Sequence, residues 1–121
     1  MKLLIVDDDL SILSSLKVAM EMEGHEAFII SEGDKTLKSA IKNKPDVIIV
    51  DFLLSGITGS HISREIRSNK RTKNIPIIMV SAHPSAIEYA KASGVNSFIA
   101  KPFELDQLLA EITKVSHLTV P

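Results

Sequence analysis

Val47-Ile48-Ile49-Val50-Asp51 is a run of four β-branched apolar residues closed by a carboxylate, with Pro45 two positions ahead of it. β-branched side chains favour extended backbone, and a run with no polar alternation suits a strand covered on both faces. Recurrence turns this local reading into a fold. Similar short apolar runs stand at residues 3–6, 27–30, 75–80 and 97–100, so five such runs follow one another at intervals of roughly twenty residues.

Helical periodicity fills the gaps. Ile12, Leu13, Leu16 and Ala19 follow the first run, Leu37, Ala40 and Ile41 the second, Ile62 and Ile66 the third, and Leu105, Leu108, Leu109 and Ile112 the fifth. Gly24 and Gly94 stand where the first and fourth helices should end, and Pro76 opens the fourth strand, where a missing N–H is tolerable. Strands alternating with helices across short connections predict an α/β domain of (βα)5 order. Its sheet is open and parallel, with helices on both faces and right-handed crossovers.

The 121 residues, 45% of them hydrophobic, suit one domain spanning 1–121 that folds without a disulfide or structural metal. There is no cysteine, which excludes thiol catalysis and Cys-ligated zinc or iron–sulfur sites. Fourteen Lys and Arg against fifteen Asp and Glu give a net charge of −1, so no global field draws the chain to nucleic acid or an anionic membrane. Neither a signal-peptide core nor an apolar stretch of the ~20 residues needed for a membrane span occurs, and a soluble cytoplasmic protein is expected.

In an open parallel sheet, ligands collect beyond the carboxyl ends of the strands. The first run leads into Asp7, Asp8 and Asp9, the third ends at Asp51, the fourth at Ser81, and the fifth precedes Lys101. Asp7, Asp8 and Asp51 brought together would repel unless cations sat among them. Lys101 supplies one charge, and the oxygen-rich remainder suits Mg2+ rather than zinc. Each residue has a plainer reading alone: Asp9 as a helix cap, Asp7 and Asp8 as a solvated turn, Asp51 as an ordinary strand-end acid, Lys101 as a surface lysine. Their joint occurrence at separate ends of one sheet edge favours a site.

The motifs are 4–9 (Leu-Ile-Val-Asp-Asp-Asp), 47–51 with Gly59 eight residues later, 76–82 (Pro-Ile-Ile-Met-Val-Ser-Ala) and 98–103 (Phe-Ile-Ala-Lys-Pro-Phe). In this order and spacing the chain resembles the receiver domains of two-component response regulators over residues 2 to about 114. The resemblance implies a doubly wound, flavodoxin-like sheet of strand order 2-1-3-4-5. It implies Asp51 as phosphoacceptor, with Mg2+ held by Asp8, by Asp7 through water, by Asp51 and by the backbone carbonyl of Leu53. Lys101 then neutralises the phosphoryl oxygens, Ser81 bonds one of them, small Ala82 leaves room for the donor, and Ser81 with Phe98 forms a switch. The implied partners are a sensor histidine kinase or histidine phosphotransfer protein, and a downstream protein or second copy on the face of the fourth helix, fifth strand and fifth helix. The domain is expected either alone or as part of a longer response regulator or hybrid kinase, and its transfer onto itself is not enzymatic in the usual sense.

Several positions depart from the family pattern. Ser55 replaces the usual Pro, and Thr58 the Asp that commonly precedes the loop Gly. Leu53 and His83 occupy positions flanking the path of the hydrolytic water, where apolar Leu53 predicts a long-lived aspartyl phosphate and His83 stands as either a water-positioning group or a plain loop residue. Arg64, Arg67, Lys70, Arg71 and Lys73 read as a solvated face at a helix C-terminus, without direct nucleic-acid contact. A magnesium-dependent phosphatase of the haloacid-dehalogenase type would want a second Asp where Leu53 stands, and a degenerate receiver that only binds proteins would not need the retained Asp and Lys residues.

Overall fold

The computed structural model describes residues 1–83 and 85–117. β1 (Lys2–Val6) leads to α1 (Leu10–Met22), and β2 (Glu26–Ile30) to α2 (Thr36–Asn43). β3 (Val47–Asp51) leads to α3 (Gly59–Ser68), β4 (Ile77–Ser81) to α4 (Ala86–Ala92), and β5 (Ser97–Ala100) to α5 (Leu105–Ser116). The strands pair in parallel in the order β2-β1-β3-β4-β5, as expected.

Each strand sends alternate side chains to opposite faces, and both faces are dry. Leu3, Ile5, Val47, Ile49, Ile78 and Val80 pack with Leu13 and Met20 of α1 and Leu108 and Ile112 of α5. Leu4, Val6, Ile48, Val50, Ile77 and Met79 pack with Ala40 of α2, Ile62 and Ile66 of α3, and Ala90 of α4. This two-sided burial is the physical reason that the strand segments carry no polar alternation. Each large side chain so placed contributes about 1.5–3 kcal/mol relative to exposure.

The helix ends follow from local chemistry. Asp9 caps α1, its side chain accepting from the N–H groups of Ser11 and Ile12, and Thr58 caps α3 by accepting from His61. Gly24 and Gly94 lie at φ 88° and 81°, the left-handed region that closes α1 and α4. Pro76 stands one residue before β4, where its carbonyl accepts from Ile48.

Two features differ from expectation. Leu53–Leu54 and Ile57–Thr58 form a short antiparallel ladder turning at Ser55 and Gly56, with Gly56 at φ 77°. Two residue pairs are too few for a periodic signal. The basic run is not wholly a solvated face either. Arg67 turns inward, its guanidinium donating to the carbonyls of Gly94 (2.9 Å), Lys73 (3.0 Å) and Ile75 (2.6 Å) and to Asn96 Oδ1 (2.8 Å). A planar fork with five donors can serve such a set of acceptors, and carbonyls left over by the irregular segments around β4 and β5 supply them. Among the described residues, no helix is long and apolar enough to cross a membrane.

Candidate active site

β1 and β3 are neighbours at the centre of the sheet, and the chain leaves β1 on one side toward β2 and β3 on the other toward β4. That reversal opens a crevice beyond their carboxyl ends. Asp7 follows β1 directly and is buried, Asp51 ends β3 and is half-buried, and Asp8 is exposed at the mouth. One carboxylate oxygen from each of the three lies within 4.8 Å of the others.

Lys101, one residue past β5, reaches across the crevice. Its Nζ stands 3.2 Å from Asp7 Oδ2 and 3.4 Å from Asp51 Oδ1, with its side chain 23% exposed. The backbone N–H of Lys101 donates to the carbonyl of Ser81, continuing the β4–β5 ladder by one residue and fixing where the side chain departs. The other Asp7 oxygen, Oδ1, accepts from the Asp9 N–H at 2.9 Å, so Asp7 is held from two sides.

Burial raises the Asp51 carboxyl above the ordinary aspartate value; Lys101 opposes that shift and Asp7 adds to it. Burial by itself would lower the Lys101 ammonium, but Asp51 and then Asp7 more than offset it, leaving it above the ordinary lysine value. Three carboxylates against one ammonium leave the crevice negative. An all-oxygen donor set with excess negative charge, open to water at Asp8, fits a hard divalent ion that keeps part of its hydration shell. Mg2+ therefore fits the residues present.

Gly59 explains how α3 begins beside the site. A Cβ there would run into the carbonyl oxygen of Asp51, and the Gly59 N–H donates to the Phe52 carbonyl at 2.7 Å. The helix thus starts flush against the backbone that carries Asp51, and only a residue without a side chain permits the approach.

The remaining candidate residues surround this centre. Ser81 is buried at the end of β4, and its Oγ accepts from the His83 N–H at 2.9 Å. Ala82 and His83 are exposed in the following loop, with His83 Nδ1 2.7 Å from the Ser85 hydroxyl. Leu53 is 54% exposed, and Phe98 is partly buried against the core on the α3 and α4 side. One residue that the sequence marked only as a departure belongs here as well: Ser55 Oγ donates to Asp8 Oδ2 at 3.0 Å.

Comparison with known proteins agrees with the fold. The family model for the response regulator receiver domain matches residues 3–113. The phosphate regulon transcriptional regulatory protein PhoB of Rhizobium meliloti is 30% identical over 99% of this chain and 54% of its own length. The chain spans about half the length of the curated relatives it matches. Among solved structures, the chemotaxis protein CheY4 of Vibrio cholerae superposes with a TM-score of 0.88 at 30% identity, covering 94% of this chain and 97% of that one. The receiver domain of the sensor histidine kinase PA1611 of Pseudomonas aeruginosa, whose structure has a magnesium ion coordinated in the active-site cleft, gives 0.87 at 24% identity, over 95% and 96%. With a family match spanning nearly the whole chain, the expected strand order, and strand-end acids gathered around one lysine, this chain belongs to the response regulator receiver domains of two-component signalling.

Proposed function

We infer that the domain accepts a phosphoryl group onto Asp51 from a sensor histidine kinase or histidine phosphotransfer protein, with Mg2+ held by Asp7, Asp8, Asp51 and the Leu53 carbonyl. The observation that carries this reading is Lys101 bridging Asp7 and Asp51 within a three-carboxylate cluster at the sheet edge. The magnesium in the Pseudomonas aeruginosa receiver supports the choice of ion.

Phosphoryl transfer asks mainly for in-line positioning and for positive charge on the equatorial oxygens. Bound Mg2+ supplies part of that charge and shields the acids from one another. The Asp51 carboxylate attacks phosphorus without a general base; the new O–P bond forms as the bond from phosphorus to the donor's nitrogen or acyl oxygen breaks. Lys101 shifts its hydrogen bonding from the Asp51 carboxylate to the incoming oxygens. Ser81 Oγ already accepts one hydrogen bond, and its own proton is available for a phosphoryl oxygen. Its movement, with Phe98 following, is the switch.

Leu53 offers no polar group to a hydrolytic water, and Nδ1 of His83 is paired with the Ser85 hydroxyl at 2.7 Å, which turns that edge of the ring away from such a role. The aspartyl phosphate is therefore long-lived, and His83→Ala should leave its decay unchanged. Exposed Leu10, Val18 and Met22 on α1 support docking of the phosphodonor, and exposed Ile87 and Leu105 support a downstream protein or second copy on the α4, β5 and α5 face. Arg67 is committed to internal acceptors, which supports a domain without direct nucleic-acid contact. A cytoplasmic setting is part of the same reading.

Intact mass after incubation with MgCl2 and acetyl phosphate tests the proposal. The expected result is an acid-stable, base-labile gain of one phosphoryl group that is absent from Asp51→Asn and from samples in EDTA. No gain, with beryllofluoride also failing to bind, would instead indicate a receiver that acts only by binding proteins.

A further inference from the structure

We propose that Ser55 is a positioning residue for the metal site, holding Asp8 through its hydroxyl in the orientation that meets Asp7 and Asp51. The inference rests on the reading of those three acids as the Mg2+ site. Asp8 needs such a support more than its partners do. Asp7 is buried and held by Lys101 and the Asp9 N–H, and Asp51 is half-buried and held by Lys101. Asp8 is exposed, and an exposed carboxylate loses rotamer freedom when it takes up a ligand geometry. The Ser55 hydroxyl, 3.0 Å from Asp8 Oδ2, reduces that loss by fixing the carboxylate beforehand.

The placement of Ser55 follows from its turn. Leu54 pairs with Ile57, so Ser55 and Gly56 are the two central residues, and Gly56 at φ 77° has the sign that a type II turn demands at its third position. Pro is favoured at the second position of such a turn because its ring presets φ, and this chain has Ser there. The exchange gives up backbone stiffness and gains a donor directed at Asp8. A carboxylate oxygen has lone pairs enough to accept a hydrogen bond and bind a cation together, so the contact need not compete with the metal. Hydrogen bonds of this kind, one shell out from a metal, typically govern about 10–100-fold in affinity.

The test is an NMR titration of amide shifts with MgCl2, together with thermal melts in EDTA, on wild type, Ser55→Ala, Ser55→Thr, Ser55→Pro and Asp8→Asn. Because Asp8 is exposed, the expected loss in Ser55→Ala is at the lower end, about tenfold in Mg2+ affinity. Ser55→Thr keeps the hydroxyl and should bind as wild type. Ser55→Pro should melt at or above the wild-type temperature in EDTA yet bind Mg2+ as weakly as Ser55→Ala, separating loss of the donor from loss of the turn. In an Asp8→Asn background Ser55→Ala should cost nothing further. Wild-type Mg2+ affinity in Ser55→Ala, or tighter binding, would overturn the role of Ser55 while leaving the site itself standing. A wild-type protein that shows no Mg2+-dependent shifts at Asp8 and Asp51 would overturn both.

Discussion

Burial is the largest influence on the Asp51 carboxyl, and together with Asp7 it outweighs Lys101 and keeps the group above the ordinary aspartate value of 3.8. A carboxyl so raised binds its proton more readily in the folded chain than in the unfolded one. Stability is therefore lost as pH rises from that value through the folded one, and stays lower at neutral pH. In EDTA at about pH 7, Asp51→Asn should melt above wild type, with the difference closing as pH falls below the ordinary aspartate value of 3.8, where the carboxyl is protonated in both states. With Mg2+ in excess the order should reverse, since wild type alone keeps the full set of acids for the ion. A mutant that melts below wild type in EDTA at neutral pH would count against acids crowded in a dry crevice.

Among the elements, the segments after α3 and α4 are joined by one side chain. Arg67 satisfies three carbonyls and the Asn96 side chain, and Asn96 Oδ1 also accepts from the Ile77 N–H at the start of β4. Lysine keeps the charge but not the planar fork, and its three donors at a single nitrogen would leave at least one of these four acceptors without its present partner. Arg67→Lys should cost about 2–3 kcal/mol in urea unfolding, with Arg67→Ala costing at least as much. A loss below about 0.5 kcal/mol would mean that water replaces the guanidinium freely.

Arg67 also marks where sequence reading reaches its limit. Strands and capped helices were legible because burial on both sheet faces imposes uninterrupted apolar runs, and because Asp9, Thr58, Gly24 and Gly94 act on their own neighbours. The strand-end acids and Lys101 were legible because topology alone brings strand ends together. Arg67 answers to carbonyls up to 27 residues away, and Ser55 to a carboxylate 47 residues away. Neither contact leaves a local pattern, so one read as a surface cation and the other as a missing proline. The requirement at Gly59 was visible as a family motif, but its cause, contact with the Asp51 backbone, appears only in three dimensions.

For the molecule as a whole, the sheet divides the interior into two cores, and the site lies at the edge where both end. The Arg67 contacts make the two ends of α4 unequal. The C-terminal end is tied through Gly94 and Asn96, and the Ser93 hydroxyl bonds back to the Tyr89 and Ala90 carbonyls. The N-terminal end, a few residues past Ser81, starts at Ser85 without a side-chain cap. Native-state amide exchange should accordingly be faster at Ile87 and Glu88 than at Ser93 and Asn96; equal protection at the two ends would contradict the asymmetry. Mechanically, the helix resembles a lever anchored at Gly94, with its less restrained end toward Ser81. On the proposed switch reading, a push delivered at Ser81 should turn the exposed side chain of Ile87 rather than shift it, so the signal would leave the domain as a change of angle.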